Sequence, residues 1–263
     1  MSIFDAAFDS VHDAALVTGA GNGIGRAIAH ALTGEGVRTL FADVSAERVE
    51  AAVAGAPRPD LALPWVGDLS KREECDALLA HASANLGLVT HFVHSAAPPR
   101  RESDHSLAVT DETWEQMRAV NVDAGFHLSR EIARRLITNE RPGSILMLTS
   151  LHAGTPRNLP HYSTSKAALA MLAKELAKTL GQFQIRVNAL VPGIIAAGGF
   201  EANPSLVRHI PLGRIGSSED LAPMALTVLS NKLSGYVTGA AFVVDGGVSL
   251  TNWFEAPALD RSV

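Results

Sequence analysis

The sequence predicts an α/β fold in which one doubly wound, mostly parallel sheet of seven strands carries helices on both faces. Strand-like and helical patterns alternate along the whole chain. Several strand-like runs, such as Ser144–Leu148, are continuously apolar, which is typical of parallel strands that helices cover on both sides. A glycine-rich turn, TGAGNGIG, joins the first strand to the first helix, as in folds that bind dinucleotides.

The elements follow in order from local patterns. Strands are predicted at 14–18, 38–43, 62–66, 90–95, 143–149, 185–191 and 240–244. Helices are predicted at 23–35, 45–54, 70–86, 111–138, 160–181 and 217–231. No linker or internal repeat divides the chain, so we expect a single domain over 1–263. The Gly- and Pro-rich stretch 192–216 is long for a connection, and we interpret it as a substrate lid.

Composition narrows the class of protein. The chain has 22 basic and 27 acidic residues among 263 and no basic stripe, which argues against nucleic acid as a partner. A single cysteine, Cys75, allows no intrachain disulfide, and the ten histidines show no metal-binding spacing. The N-terminus has acidic residues and no long apolar run, so we expect a soluble, cytoplasmic protein without a membrane partner or a metal.

The glycine-rich turn has the features of a phosphate-binding loop. Glycines at 19, 23 and 25 let the backbone turn sharply and approach a pyrophosphate, which the N-terminus of the next helix attracts. Asp43 ends the second apolar run, where a carboxylate can accept hydrogen bonds from the adenosine ribose hydroxyls. The strand before, the helix after and the acidic residue beyond make the motif more specific than glycines alone.

Tyr162 and Lys166 are four residues apart and therefore share one face of the predicted helix. A free tyrosine has a pKa near ~10 and is a poor base at neutral pH, but a fixed ammonium nearby favours the phenolate. Such pairs arise by chance on many helices, yet the chain contains only two tyrosines. Ser150 follows the apolar strand before this helix and could donate to a substrate oxygen, or could simply be a turn or capping residue.

In combination, these residues resemble the short-chain dehydrogenase/reductase family over nearly the full length of the chain, which implies a Rossmann-type fold. The resemblance rests on the order and spacing of TGAGNGIG, Asp43, Gly67-Asp68-Leu69, Asn121-Val122, Ser150, Tyr162, Lys166, Val191-Pro192-Gly193, the segment Pro211–Ala222 and Asp245-Gly-Gly.

The resemblance implies catalytic roles for four side chains. Tyr162 would be the acid/base, Lys166 would favour its phenolate and hold the nicotinamide ribose, and Ser150 would orient the substrate oxygen. Asn121 would carry a water that relays protons through Lys166. Asparagine is a poor residue inside a helix, so we expect a kink or a water site there.

The resemblance also implies cofactor-binding positions. Asp68 would bind the adenine amino group or, alternatively, cap the following helix. The expected set is Gly19, Asn22, Gly23, Ile24, Gly25, Asp43, Val44, Asp68, Leu69, Ser95, Ala96, Tyr162, Lys166, Pro192, Gly193 and Ile195. NAD is favoured over NADP because Asp43 would repel a 2′-phosphate, and the family's usual basic positions hold Asn22 and Val44.

Polar side chains expected near the pocket favour a hydroxylated small-molecule substrate. The expected contacts are His152, Arg157, Asn158 and His94. Stretches around Ser150 and Tyr162 look similar to bacterial sugar 1-dehydrogenases, so we predict a sugar or polyol dehydrogenase. A 3-oxoacyl or other ketone reductase, a carboxylated substrate held by Arg100 or Arg157, and a non-catalytic NAD-binding sensor remain alternatives.

Assembly is predicted from apolar helix faces and from the tail. The helices at 111–138 and 160–181 carry wide apolar faces, and the resemblance implies that they form a dimer interface within a homotetramer. The tail, 248–263, contains the adjacent aromatics Trp253 and Phe254. We expect them to dock on a neighbouring subunit or on their own.

Overall fold

The computed structural model describes residues 7–101, 103–197 and 204–250. Its strands are β1 Ala14–Thr18, β2 Arg38–Asp43, β3 Ala62–Val66, β4 His91–His94, β5 Gly143–Leu148, β6 Ile185–Pro192, β7 Ile195–Ala196, β8 Gly216–Ser217 and β9 Ala241–Val244. Seven of them form one sheet in the order β3-β2-β1-β4-β5-β6-β9, and every neighbouring pair in it is parallel. The predicted α/β class is confirmed, and the sheet is wholly rather than mostly parallel.

Helices cover both faces of this sheet. They are α1 Gly23–Gly34, α2 Ala46–Ala54, α3 Arg72–Leu86, α4 Asp111–Arg118, α5 Gly125–Thr138, α6 Pro160–Leu180, α7 Ala222–Leu229 and α8 Asn231–Ser234. One apolar core packs α3, α5 and α6 against the sheet, and a second packs α1, α2 and α7 against its other face. All residues of β1 and β5 are buried, which explains their unbroken apolar runs.

The predicted helix at 111–138 is interrupted in the structure. A π-helical turn, Ala119–Ala124, separates α4 from α5 and contains the fully buried Asn121. The apolar periodicity continues through this turn, so the sequence pattern alone predicted one helix. A π-turn is a recognised cause of a helix kink and is frequent at functional sites, which agrees with the kink expected at Asn121.

The predicted helix at 217–231 is also divided. Ser217 and Asp220 form a capping box around a 3-10 turn, and α7 then begins with a proline in its first turn. Ser230 ends α7 and caps α8, where its hydroxyl accepts the Leu233 N–H at 3.3 Å. Capping residues stop and restart a helix where an apolar pattern would continue it.

The stretch 192–216 contains more structure than the sequence indicated. β7 and β8 pair in parallel through Ile195 with Gly216 and Ala196 with Ser217. Arg214 donates to both carboxylate oxygens of Asp220 at 2.6 and 2.7 Å. The part described here is therefore fixed at its base, while its role as a lid remains a prediction.

Within the described ranges, no helix is long and apolar enough to cross a membrane. The same residues contain no group of three or more His, Cys, Asp or Glu placed to hold a metal ion. Cys75 is buried in α3, and burial raises the pKa of its thiol to about 11. The tail aromatics Trp253 and Phe254 lie outside the described residues.

Candidate active site

The candidate site lies at the carboxyl edge of the central strands. β1, β4, β5 and β6 end here at Thr18, His94, Leu148 and Pro192. Because parallel strands end on the same side, the loops that follow them meet at this edge. Every catalytic residue implied by the sequence is on one of these loops or on a helix packed against it.

The glycine-rich turn after β1 has room for backbone only. Gly19 adopts a φ of +67°, and a Cβ on it would lie 2.8 Å from the Cα of Ala96. A Cβ on Gly25 would clash with the carbonyl oxygen of Gly19. Asn22 caps α1 by accepting the Gly23 N–H at 2.7 Å, so the helix N-terminus opens directly onto the turn.

Asp43, at the end of β2, is held by two backbone amides. Its Oδ2 accepts the Gly21 N–H at 3.0 Å, and its Oδ1 accepts the Ser45 N–H at 3.1 Å. A Cβ on Gly21 would lie 2.8 Å from the Asp43 Cγ. The carboxylate is thus fixed beside the turn, with Val44 exposed next to it, and each oxygen keeps an acceptor site for a ligand hydroxyl.

Thr18 connects this turn to the loop after β4. Its hydroxyl oxygen accepts the N–H groups of Ser95 and Ala96 at 3.2 and 3.3 Å. Thr18 was not among the predicted site residues, although its position as the first residue of the glycine motif was a usable signal. Ser95 and Ala96, two expected cofactor-binding residues, are brought against the turn by this contact.

The segment after β3 forms a turn rather than a helix cap. Asp68 Oδ1 accepts the Ser70 N–H at 3.0 Å, and α3 begins later, at Arg72, without a side-chain cap. The capping alternative for Asp68 is therefore wrong in detail. Leu69 is buried in the core, so only its backbone is available to a ligand.

Tyr162 and Lys166 lie on consecutive turns of α6, which begins at Pro160. The Lys166 Nζ is 5.6 Å from the centroid of the Tyr162 ring and donates to the carbonyl oxygen of Leu148 at 2.8 Å. Burial, with a smaller contribution from the charge of Arg100, lowers the pKa of Lys166 to about 7. The amine is thus held between the tyrosine ring and the end of β5.

Asn121 is connected to Tyr162 through Ser165. The Asn121 Nδ2 donates to the Ser165 Oγ at 2.8 Å, and this hydroxyl donates to the Tyr162 carbonyl oxygen at 2.8 Å. The Asn121 Oδ1 is buried and has no hydrogen-bond partner within the described chain, which suits a site for bound water. Ser165 was missed from the sequence; its place beside Lys166 was the only signal.

Ser150 follows β5 directly and is largely buried. Its Oγ accepts the His152 N–H at 3.2 Å and so caps the short turn Leu151–Ala153. The interpretation of Ser150 as a capping residue is therefore correct. The cap uses only one acceptor site of the Ser150 hydroxyl oxygen. The hydroxyl proton remains free to be donated.

His152 and Arg100 enclose the Tyr162 ring. The His152 ring contacts it edge-on at 5.3 Å between centroids, and the Arg100 guanidinium carbon lies 4.3 Å from its centroid. Burial lowers the pKa of His152 to about 4, and the charges of Arg100 and Arg157 contribute. The imidazole is therefore neutral at pH 7, and its Nδ1 is buried without a described partner.

His94 does not fit its expected place in the substrate pocket. The side chain is buried beneath the site, with its Nδ1 3.0 Å from the Thr18 Oγ1 and its Nε2 3.1 Å from the carbonyl oxygens of Val120 and Asn121. Both ring nitrogens are therefore used inside the protein. His94 is therefore not a substrate contact, because it is the last residue of the fully buried β4 and does not lie on the loop that follows.

Arg157 and Asn158 lie exposed on the loop before α6. Asn158 has a φ of +58°, a left-handed conformation that asparagine tolerates better than most residues. The loop leads directly into the helix that carries Tyr162. Their position is therefore compatible with the predicted contact to substrate, which stays a prediction.

The loop after β6 is fixed by close packing. The Gly193 N–H donates to the Val244 carbonyl oxygen at 3.0 Å, and a Cβ on Gly193 would lie 2.5 Å from the Asp245 Cα. Pro192 is the last residue of β6, and Ile195 pairs with Gly216 in the ladder of β7 and β8. These contacts direct the chain across the carboxyl edge of the sheet.

Comparisons with known proteins agree with this arrangement. The family model described as enoyl-(acyl carrier protein) reductase matches residues 19–249. The (3R)-3-hydroxyacyl-CoA dehydrogenase of Mus musculus is 33% identical over 250 residues, which cover 89% of this chain and 95% of that protein. The galactitol 2-dehydrogenase (L-tagatose-forming) of Cereibacter sphaeroides is 35% identical over 249 residues, covering 90% and 94%.

A solved structure is similar over most of its length. The 3-ketoacyl-(acyl-carrier-protein) reductase from Brucella melitensis complexed with NADH superposes with a TM-score of 0.84 at 28% identity. The match covers 90% of this chain and 98% of that one. The similarity therefore extends over the glycine-rich turn, the central strands and the tyrosine-bearing helix together.

Proposed function

The chain belongs to the short-chain dehydrogenase/reductase family, and from that premise we propose that it is an NAD-preferring sugar or polyol dehydrogenase. Membership of this family makes it an oxidoreductase that acts on alcohols or ketones with a nicotinamide cofactor. The proposal adds the choice of NAD, the hydroxylated substrate and Tyr162 as the acid/base.

One observation carries the catalytic part of the proposal. Tyr162 is linked to buried Asn121 through Ser165, while Lys166 is anchored to the carbonyl oxygen of Leu148, two residues before Ser150. The π-turn, α6 and the end of β5 thus hold polar side chains together at one edge of the sheet. The four proposed catalytic residues among them are Asn121, Ser150, Tyr162 and Lys166. Positioning of this kind is what general acid–base catalysis needs.

The side chains divide the proton chemistry between them. When bound, the nicotinamide would accept or supply the hydride. The Tyr162 oxygen would take the proton of the substrate hydroxyl, or return it in reduction, while the Ser150 hydroxyl donates to the substrate oxygen. Because burial lowers the pKa of Lys166 to about 7, this amine can exchange a proton near neutral pH, as a relay toward Asn121 requires.

The glycine-rich turn fits a dinucleotide. Its close approach to Ala96 leaves backbone N–H groups and the α1 N-terminus without covering side chains. The carboxylate of Asp43 lies beside the turn and would bind a 2′-hydroxyl while repelling a 2′-phosphate. The turn suits either dinucleotide, and Asp43 supports NAD over NADP.

Two observations support a hydroxylated substrate. The neutral His152 ring faces Tyr162 with its buried Nδ1 free to bond, and Asn158 lies on the adjoining loop. Imidazole and amide groups bond sugar hydroxyls readily. The galactitol 2-dehydrogenase relative is an enzyme of a polyol.

The test measures turnover on a panel of aldoses, polyols and 3-oxoacyl thioesters, monitored through the absorbance of NADH. We expect turnover on a sugar or polyol with NAD, and a loss of about 10²- to 10⁴-fold in kcat for Tyr162→Phe with NADH binding retained. The matched control is Tyr236→Phe, because Tyr236 is the other tyrosine and is fully exposed. Undiminished turnover by Tyr162→Phe would overturn the assignment of the base.

A 3-oxoacyl reductase is the second candidate. It is supported by the hydroxyacyl-CoA dehydrogenase relative and by the 3-ketoacyl reductase structure. Activity confined to the thioesters of the panel would select it and exclude the sugar. A wild-type protein that binds NADH but turns over no member of the panel would instead favour the sensor alternative.

A further inference from the structure

Two arginines near Tyr162 and His152 have no acidic partner among the described residues. Arg100 and Arg157 are exposed, and neither forms an ion pair with a carboxylate in the described ranges. Other arginines of the chain do pair, among them Arg58 with Asp60 at 2.8 Å and Arg214 with Asp220 at 2.6 Å. What distinguishes Arg100 and Arg157 is their position, close to Tyr162 and His152.

Their position relative to Tyr162 is specific. The Arg100 guanidinium carbon lies 4.3 Å from the centroid of the Tyr162 ring. Tyr162 is the residue proposed to contact the substrate hydroxyl. Arg157 is close enough to His152 for its charge to contribute to lowering the pKa of that ring, and Arg100 contributes more. Both cations therefore lie close to side chains that would contact a substrate of Tyr162.

Among the residues that the structure describes, cations outnumber anions around Tyr162. Lys166 is buried one helical turn from Tyr162, and the neutral His152 ring lies against the same tyrosine. The nearby Asp104 is directed elsewhere, since its Oδ2 accepts the Arg101 N–H at 2.9 Å and lies 3.7 Å from the His161 Nε2. An anion at this place would gain attraction from several cations at once.

The guanidinium group also limits the kind of anion. Its planar fork of donors matches the two oxygens of a carboxylate. The Arg100 guanidinium carbon is within cation–π distance of the Tyr162 ring, which keeps the donors of this group close to the tyrosine. A carboxylate bound there lies within a few bonds of the hydroxyl that reaches the Tyr162 oxygen, so both groups belong to one short carbon chain.

We propose that the substrate carries a carboxylate, which Arg100 binds with support from Arg157, and that the enzyme acts on polyhydroxylated acids such as aldonates. This inference rests on the proposed function, because it places the carboxylate beside the hydroxyl group that Tyr162 would deprotonate. It makes Arg100 a specificity-determining residue that no motif of the sequence marks.

The test compares acids with the alditols that differ from them by one terminal group. Binding of D-gluconate and D-glucitol, and of D-galactonate and galactitol, is measured by calorimetry on the NADH complex, in which the alcohols are not oxidised. We expect at least one acid to bind about tenfold or more tightly than its alditol. Added salt should weaken binding of that acid more than binding of the alditol.

Variants assign the preference to the arginine. Arg100→Gln should remove the preference for the acid and leave alditol binding within about twofold, and Arg100→Lys should restore part of it because the charge remains. Arg157→Gln should reduce the preference less. Arg58→Gln removes a paired arginine from the opposite edge of the sheet. It should change the affinity for neither the acid nor the alditol.

Three results would overturn the inference. One is equal or weaker binding of both acids relative to their alditols in the wild type. Another is an Arg100→Gln variant that weakens acid and alditol alike, which would make Arg100 only a structural support of the Tyr162 ring. Tighter binding of D-glucitol 6-phosphate than of either acid would likewise replace the carboxylate by a phosphate.

Failure of this inference can be told apart from failure of the proposed function. Turnover of neutral polyols without a preference for acids would contradict the proposed carboxylate site. It would still support the proposed dehydrogenase activity. Acid-selective binding that Arg100→Gln removes, with no turnover on any sugar, polyol or aldonate, would overturn the proposed dehydrogenase and leave the anion site standing.

Discussion

At the scale of single residues, Asp43 shows how the turn and the cofactor preference are coupled. Both of its oxygens already accept backbone amides, from Gly21 and Ser45. The same carboxylate therefore shapes the glycine turn and, in the proposed function, would present negative charge to the adenosine ribose. A variant that tests the charge must keep one oxygen acceptor, or the turn changes as well.

We expect the wild type to prefer NAD over NADP by at least about tenfold in kcat/KM, which is about 1.4 kcal/mol. Asp43→Asn should narrow that preference because it removes the repulsion of a 2′-phosphate and retains an oxygen for the Gly21 N–H. Steady-state kinetics with both cofactors measure it, and Asp60→Asn on the far edge is the control. Equal kinetics with NAD and NADP in the wild type would contradict the prediction.

Residue types and spacing were sufficient to place Tyr162, Lys166, Ser150 and Asn121 at one edge of the sheet. They were insufficient for Thr18 and Ser165, because these hydroxyls act by bonding groups on other elements. Serine and threonine are common in many roles, and only the fold shows which backbone groups they reach. His94 was misplaced for the same reason, since its partners come from β1 and the π-turn.

At the scale of elements, His94 joins three of them. Its ring connects β4 to Thr18 of β1 and to two carbonyl oxygens of the π-turn. A Cβ on Gly125 would lie 2.9 Å from the His94 Cδ2, so α5 also packs against the ring. The histidine thereby supports the turn that orients Asn121.

This support should depend on pH. Burial, and secondarily the charge of Lys166, lowers the pKa of His94 to about 4 from an ordinary value of 6.5. The unfolded chain therefore binds a proton that the folded chain excludes between these values. The stabilising contribution is complete above about pH 6.5 and is lost as the pH falls toward 4.

We expect His94→Asn to reduce the loss of unfolding free energy between pH 7 and pH 5 by about 1 to 2 kcal/mol relative to wild type. Asparagine can still bond Thr18 and the π-turn but does not titrate. Urea unfolding at the two pH values measures the difference, and exposed His105→Asn is the control. An unchanged pH dependence in His94→Asn would contradict the prediction.

The seven strands of the sheet could be located from the sequence because each contains a short apolar run, which is unbroken in the fully buried β1. The π-turn at Ala119–Ala124 could not be predicted, because one inserted residue barely changes the apolar periodicity on either side. Only the unusual Asn121 marked it. The short ladder of β7 and β8 was also missed, since two-residue strands carry no pattern.

At the scale of the whole molecule, the helices predicted to form an interface expose large apolar side chains. Trp114 on α4, Phe126 on α5 and Met171 on α6 are 40%, 41% and 55% exposed. Exposed apolar groups on neighbouring helices often mark a contact between subunits. The homotetramer remains a prediction, as does docking of the tail.

We expect the wild type to be a tetramer in solution and Phe126→Glu to lower its molar mass, because a buried, unpaired carboxylate would destabilise the helix interface. Light scattering coupled to size-exclusion chromatography measures the mass. Phe183→Glu is a matched control, since Phe183 is 42% exposed in the turn after α6. A monomeric wild type, or a tetrameric Phe126→Glu variant, would contradict the interface.

The ladder of β7 and β8 has a consequence for how such enzymes diversify. It pairs Ile195 with Gly216 and Ala196 with Ser217, so the two ends of the chain segment between these strands are held together. Lengthening a loop costs little once its ends are joined, about 0.6 kcal/mol for each doubling. The connection between β7 and β8 can therefore gain or lose residues over evolutionary time while the sheet stays unchanged.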